Sequence, residues 1–223
     1  MLQLHTYQLV SNQEFQNFYL GIKETLPNNL IEKTEKFKFW EDRQRSLIGE
    51  LMVRKFYEEK LGLAHFEFEL NEQDKPFLKD HKEEHFNISH SGAFVVVAFS
   101  DQNVGVDVEI IGKDRRKVAE RFFTVREIEQ MHARPTEKDR IHFFYQLWTL
   151  KESYMKAIGK GMTMSLSSFS FLFNKNSAVL DFTDNDPDWN FYTQLWEGKA
   201  YLSICSKSND EIERKGHLLQ DFL

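Results

Sequence analysis

The chain has one cysteine, Cys205, among 223 residues, so no internal disulfide can form and a disulfide-stapled secreted scaffold is excluded. Proline is scarce, at 4 residues, and glycine stands at 10, which excludes collagen-like and Pro/Gly-rich disordered compositions. No apolar run approaches the roughly 20 residues a membrane-spanning helix needs. The longest, Ala93 to Phe99, is far too short, and Met1 to Val10 has neither the basic stretch nor the apolar core of a secretory signal. The expectation is a soluble cytoplasmic protein without membrane association. Positive charge is not in excess either. With 29 Lys and Arg against 35 Asp and Glu, the net charge is -6, which argues against a protein that coats nucleic acid. There is no Gly-x-x-x-x-Gly-Lys-Ser/Thr loop, no serine nucleophile elbow and no His/Cys spacing for zinc. Apolar side chains are plentiful: 41% of residues are hydrophobic, with 21 Phe and 4 Trp, enough for one large domain or two small ones.

Leu2 to Val10 alternates and predicts a strand, and Phe15, Phe18 and Tyr19 share one side of a short helix. Leu47, Ile48, Leu51, Met52 and Phe56 predict a longer helix ended by Gly62. His65 to Leu70 predicts a half-buried strand, broken over Asn71 to Pro76. Phe94 to Phe99 reads as a buried strand. Val104 to Ile111 reads as the next, with Asp107 and Glu109 leaving one face and Val106, Val108 and Ile110 the other. Lys113 to Phe123 predicts an amphipathic helix, Thr124 with Glu127 a capping box, and Thr136 the cap of a long helix. Ile141, Tyr145, Trp148 and Met155 form the buried stripe of that helix, and Glu152 falls on it. Strand patterns return at Phe169 to Phe173, Val179 to Phe182, Asn190 to Leu195 and Ala200 to Cys205, and the last residues are expected to be helical or loose. A long helix, a glycine and then strands occur twice, from near Asp42 and from near Thr136. The expected fold is α+β: two pseudo-symmetric lobes, residues 1–104 and 105–223, joined near 105–112. Each lobe is a long helix on a small, mainly antiparallel sheet, with a ligand cleft between them.

Two adjacent carboxylates on a strand repel unless they are solvated or bridged by a cation. A carboxylate on an apolar helix stripe likewise asks for a partner. Asp107, Glu109 and Glu152 are three oxygen ligands of the kind Mg²⁺ shares with substrate phosphates. Lys156 and then Lys160 follow Glu152 at helical spacing and could face phosphate oxygens. Glu152 with Lys156 is equally the pattern of an ordinary helix ion pair. His90, flanked by Ser89 and Ser91, could meet a phosphate from a loop beside a strand, or be structural. Lys33, Lys36 and Lys38 could bind an anion or line a solvated face, and Lys113, Arg115, Arg116 and Lys117 could dock an acidic protein partner.

Three segments, Phe86-Asn87-Ile88-Ser89-His90-Ser91, Gly105-Val106-Asp107-Val108-Glu109 and Trp148 through Gly161, resemble in order and spacing the 4′-phosphopantetheinyl transferases. The likeness is to the two-lobed type that activates peptide synthetases, as in surfactin synthesis, and runs from about Glu32 through Phe171. It implies transfer of 4′-phosphopantetheine from coenzyme A to a serine of an acyl or peptidyl carrier domain, with release of adenosine 3′,5′-bisphosphate. It implies Asp107, Glu109 and Glu152 as Mg²⁺ ligands, Glu152 as the base, and Lys156 as the neutraliser of pyrophosphate charge. It further implies Lys33, Lys36, Arg45, Ser46, Lys75, Pro76, Ser89 and His90 as coenzyme A contacts. Lys113, Arg115, Arg116 and Lys117 would meet the acidic helix of the carrier, and Phe122 and Phe123 are expected in the core. The chain has Asp74-Lys75-Pro76 where the family has Gly-Lys-Pro. A monomer is expected. The competing readings are a non-catalytic coenzyme A or nucleotide-binding regulator and another Mg²⁺-dependent phosphoryl transferase.

Overall fold

The computed structural model describes residues 1–62, 66–73, 75–160, 164–174, 177–181 and 188–223. The first half runs β1 (Leu2–Gln8), α1 (Asn12–Ile22), α2 (Asn28–Glu35), α3 (Trp40–Leu61), β2 (Phe68–Leu70), β3 (Pro76–Leu78), β4 (His85–Ser91), β5 (Phe94–Ser100) and β6 (Val104–Ile110). The second runs α4 (Arg116–Phe122), α5 (Val125–His132), α6 (Glu137–Ile158), β7 (Ser170–Asn174), β8 (Ser177–Asp181), β9 (Asn190–Trp196), β10 (Ala200–Ser206) and β11 (Ile212–His217). Helices α3 and α6 are each 22 residues long and each stops on a left-handed glycine, Gly62 at φ 66° and Gly159 at φ 69°, a conformation that costs glycine nothing. A two-stranded antiparallel ribbon and three strands follow each helix. The weak repeat in the sequence is therefore a structural one.

The third strand of each set crosses over. β6 joins the second sheet, in the order β6-β10-β9, and β11 joins the first, in the order β11-β1-β5-β4. All neighbours are antiparallel except β1 and β11, which run parallel from Leu2 beside Ile212 to Tyr7 beside His217. The expectation of a helical or loose C-terminal stretch is thus corrected for residues 212–217. Their central residues Glu213, Arg214 and Lys215 are exposed, the polarity of a protected edge strand, and the partner lies about 210 positions away, beyond the reach of local pattern.

β5 is apolar from Phe94 to Phe99 because both of its faces are covered. Val95, Val97 and Phe99 pack with Leu47, Met52, Phe56 and Tyr57 of α3, while Val96 and Ala98 meet Val106, Val108, Leu202 and Ile204 of the other sheet. The opposite face of β6 lies against α6. A Cβ on Gly105 would stand 2.0 Å from the Ser153 carbonyl oxygen and 2.4 Å from the Ala157 nitrogen. Helix and strand therefore touch backbone to backbone. Gly105→Ala is expected to cost about 3 kcal/mol by forcing them apart, read as a lower urea midpoint; an unchanged midpoint would refute the close approach.

Capping boxes at Thr124 with Glu127 and Thr136 with Asp139 start α5 and α6 as the sequence predicts. Three expectations change. Helix α4 spans only Arg116–Phe122, shorter than 113–123, its Arg115 already outside helical geometry. The break expected over Asn71 to Pro76 is a turn, but its last residue opens a strand that the sequence did not disclose, β3 (Pro76–Leu78), on a proline whose missing N–H a strand start tolerates. The Asn71 side-chain oxygen makes the turn before it, accepting the Gln73 and Lys75 N–H groups. Strand β2 begins at Phe68, and His65 lies outside the described residues.

A histidine pair joins the first and last strands: His217 Nε2 and His5 Nδ1 stand 3.0 Å apart, both rings buried. Burial, with the nearby charge of His217 and Lys215, lowers His5 to about 4 from 6.5. Below 6.5 the unfolded chain takes up a proton that the folded chain refuses until about 4, so stability falls as pH drops through that window. Loss of about 3 kcal/mol at the acid end is expected, and His5→Phe should flatten the urea midpoint between pH 5 and 6.5, roughly the upper part of the window before carboxylates titrate.

Candidate active site

β4 and β6 are edge strands of separate sheets, and they are joined by side chains. Asn87 Oδ1 accepts the Val106 N–H at 2.9 Å, Ser89 Oγ the Val108 N–H at 3.3 Å, and Ser91 Oγ the Ile110 N–H at 3.1 Å. The two-residue period of one strand thus matches that of the other. A hydroxyl that accepts from an amide still has its proton to donate. Ser89 donates to Asp107 Oδ1 and Ser91 to Glu109 Oε2, each at 2.9 Å. The expectation that this histidine motif sits in a loop is therefore corrected. It is strand β4, because Asn87, Ser89 and Ser91 must share one face to meet β6.

Helix α6 closes the site from the Gly105 side. Its Lys156 Nζ donates to Asp107 Oδ1 at 2.7 Å, Ser89 Oγ at 3.1 Å and Val106 O at 3.3 Å. The ion pair of Lys156 thus reaches across to the strand, beyond the helix neighbour that simple spacing suggests. Trp148, Glu152 and Lys156, four residues apart, are only partly covered, so Glu152 lies half-buried at the edge of the stripe, outside its apolar core. The fully buried charge is its neighbour Lys151.

The carboxylates feel one another. Burial and the Asp107 charge raise Glu109, and burial followed by Asp107 raises Glu152, with Lys156 pulling both the other way. Asp107 is 4% exposed, and its Oδ2 is buried without a hydrogen-bond partner. Among the described residues no three His, Cys, Asp or Glu side chains are gathered tightly enough to form a metal cage. The donors nonetheless fit a hard divalent ion: all are oxygens, one is an orphan, and the local excess of negative charge is what a cation relieves.

The other predicted residues are more scattered. His90 is exposed on β4, and Arg45 of α3 holds the turn beside it by donating to Gly92 O at 2.6 Å and pairing with Asp42. Ser46 is half-buried on α3. Lys36 is exposed at the end of α2, and Lys33 pairs with Glu50 at 3.3 Å. Lys75 turns its ammonium inward onto the backbone of α6, Pro76 opens β3, and Asp74 lies outside the described residues. Arg115, Arg116 and Lys117 line an open cavity of about 510 Å³ beside the exposed Lys113. Phe123 is buried against Phe144, and Phe122 is half-buried against Trp148. Sequence reasoning missed Asn87 as a bridge, the side chain of Lys75, and Lys151 with its buried partner Glu127. Only Asn87 had a signal, its two-residue spacing from Ser89.

Comparison with known proteins gives the family. Residues 103–205 match the family profile described as the 4′-phosphopantetheinyl transferase superfamily, and residues 12–102 match the 4′-phosphopantetheinyl transferase N-terminal profile. The chain is 35% identical over 182 residues to 4′-phosphopantetheinyl transferase Sfp of Bacillus subtilis (strain 168), covering 80% of this chain and 81% of that protein. It is 38% identical over 169 residues to 4′-phosphopantetheinyl transferase gsp of Aneurinibacillus migulanus, covering 74% and 69%. A holo-(acyl-carrier-protein) synthase from Bacillus anthracis, solved in complex with CoA (3′,5′-ADP), aligns at a TM-score of 0.41 and 17% identity, over 47% of this chain and 93% of that one. With both halves matched by the same family and relatives aligned over most of their length, the chain belongs to the 4′-phosphopantetheinyl transferase superfamily.

Proposed function

We propose that this transferase moves the 4′-phosphopantetheine of coenzyme A onto a serine of an acyl or peptidyl carrier domain and releases adenosine 3′,5′-bisphosphate. The observation that supports this most is the convergence of β4, β6 and α6 on one set of groups, Asp107, Glu109, Glu152 and Lys156. Asp107, Glu109 and Glu152 would hold Mg²⁺, which bound there supplies charge neutralisation and orientation of the pyrophosphate. Glu152, half-buried at the edge of the site, takes the proton of the carrier serine. The serine oxygen then bonds to the phosphorus that carries the pantetheine, the bond to the leaving phosphate breaks, and its electron pair departs with adenosine 3′,5′-bisphosphate. Lys156, fixed by Asp107 and Ser89, offsets the negative charge that grows there.

His90, Arg45, Ser46, Lys33, Lys36 and Pro76 are proposed as contacts to coenzyme A. Ser89 keeps its place near the phosphates, with its hydroxyl already shared between Asp107 and Lys156. The carrier would dock on Lys113, Arg115, Arg116 and Lys117, all exposed. Reversing Arg115 and Arg116 to Glu is expected to raise KM for the carrier by about tenfold, with KM for coenzyme A unchanged; a shift in the coenzyme A value alone would move the docking surface elsewhere. Among the described residues no helix is long and apolar enough to cross a membrane, and we place the protein in the cytoplasm as a monomer acting in nonribosomal peptide or related synthesis. A non-catalytic binder of coenzyme A has no use for three carboxylates around a lysine. Incubation with coenzyme A, Mg²⁺ and a panel of carrier domains, read by intact mass, tests the proposal: one added phosphopantetheine supports it, and none on any carrier refutes it.

A further inference from the structure

Lys75 leaves the β2–β3 ribbon of the first half and inserts its side chain into the second. Its Nζ donates to Lys156 O at 2.7 Å, Val104 O at 3.2 Å and Ala157 O at 3.4 Å. Three acceptors match the three protons of an ammonium. Two of these carbonyls lie in the last turn of α6, where no amide further along the helix can reach them, and a cation there also meets the negative end of the helix dipole. The third opens the strand that bears Asp107 three residues on. The same turn adds Asn71, whose side chain orders the Lys75 backbone and whose Nδ2 reaches Gly159 O at 3.4 Å. Burial lowers the ammonium to about 8, the charged or titratable groups that bear on it being Cys205 and His85. An ammonium buried on carbonyls alone is costly to keep, and a neutral side chain could fill the same space.

We propose that Lys75 is a positioning residue: a strap that fixes the last turn of α6, and with it Lys156, against the start of the Asp107 strand. This rests on the transferase reading of the site. It also replaces an ionic role for Lys75 at coenzyme A, because its donors already have partners.

The test compares the full wild-type chain with Lys75→Met, of similar length and uncharged, and with Lys75→Arg, which keeps the cation. In the carrier mass assay, Lys75→Met is expected to lose kcat on the order of 10²-fold, as for a misplaced catalytic group, with KM for coenzyme A within about threefold of wild type. Lys75→Arg should recover most of the loss. A raised KM at unchanged kcat would make Lys75 a ligand contact and overturn the strap, as would full activity in Lys75→Met or no recovery in Lys75→Arg. Failure of the wild-type chain to transfer would refute the transferase reading instead. Ligand-free amide exchange then still decides the strap: faster exchange in the last turn of α6, with its first turn unchanged, supports it, and equal exchange overturns it. Should Lys75→Met not fold, Lys75→Gln, neutral but still a donor, takes its place with the same criteria.

Discussion

Glu152→Gln is expected to lose transfer by about 10³-fold, within the range for removal of a general base, while unfolding at or slightly above the wild-type urea midpoint. The two halves of that result have one cause. Glu152 is half-buried beside Asp107 and Glu109, and burial with the Asp107 charge raises its carboxyl, so the ionised side chain strains the fold when no cation is bound. Glutamine keeps the shape and removes the repulsion, which favours the folded state. It cannot take a proton, and it is a weaker ligand for a hard ion. Carrier mass and urea unfolding, measured on the same preparation, read both halves. Wild-type turnover would remove Glu152 from the chemistry, and a clear loss of stability would mean that its charge has a compensating partner.

Lys151→Met is expected to destabilise the fold by about 3–5 kcal/mol, the range for breaking a buried ion pair from one side. Lys151 and Glu127 are both fully buried and meet at 2.8 Å. The Lys151 ammonium also donates to the carbonyls of Leu166 and Phe169, and Glu127 accepts the backbone N–H groups of Phe171 and Thr124. Four segments are thus tied at one point: the start of α5, the middle of α6, the turn before β7, and β7 itself. Loss of the lysine strands the carboxylate. Restoring neutrality with Glu127→Gln in the same chain should recover part of the stability. A single variant as stable as wild type would show that the pair carries little of the packing between α5 and α6. Because Glu152 is the next residue, the pair also sets the rotation of α6 that presents it.

The sequence discloses the parts of the site that a single element carries. Asp107 and Glu109 share a face because a strand alternates, and Lys156 follows Glu152 because a helix repeats. The two long helices were legible from their apolar stripes, with Gly62 marking the end of the first and Thr136 capping the second. What stayed hidden was set by contact between distant elements. Ser89 and Ser91 read as candidate phosphate contacts, yet their hydroxyls bridge two sheets and hold two carboxylates. Lys151 reads as one more charge on a helix, and only the position of Glu127, a capping residue 24 places earlier in the chain, shows it to be internal. β11 escaped because its charges look like a solvated tail until β1 is placed beside it. Gly105 marked no more than the start of the expected join between lobes, and its role as the contact point of α6 shows only in the fold.

The most direct single measurement is the intact mass of a carrier domain after incubation with coenzyme A and the full chain, with Mg²⁺ present and with it chelated, in wild type and in Asp107→Asn. One added phosphopantetheine in wild type with Mg²⁺, and none at comparable times in the other three arms, is the predicted result. Equal transfer without the divalent ion, or by Asp107→Asn, would contradict a centre built on Asp107, Glu109 and Glu152.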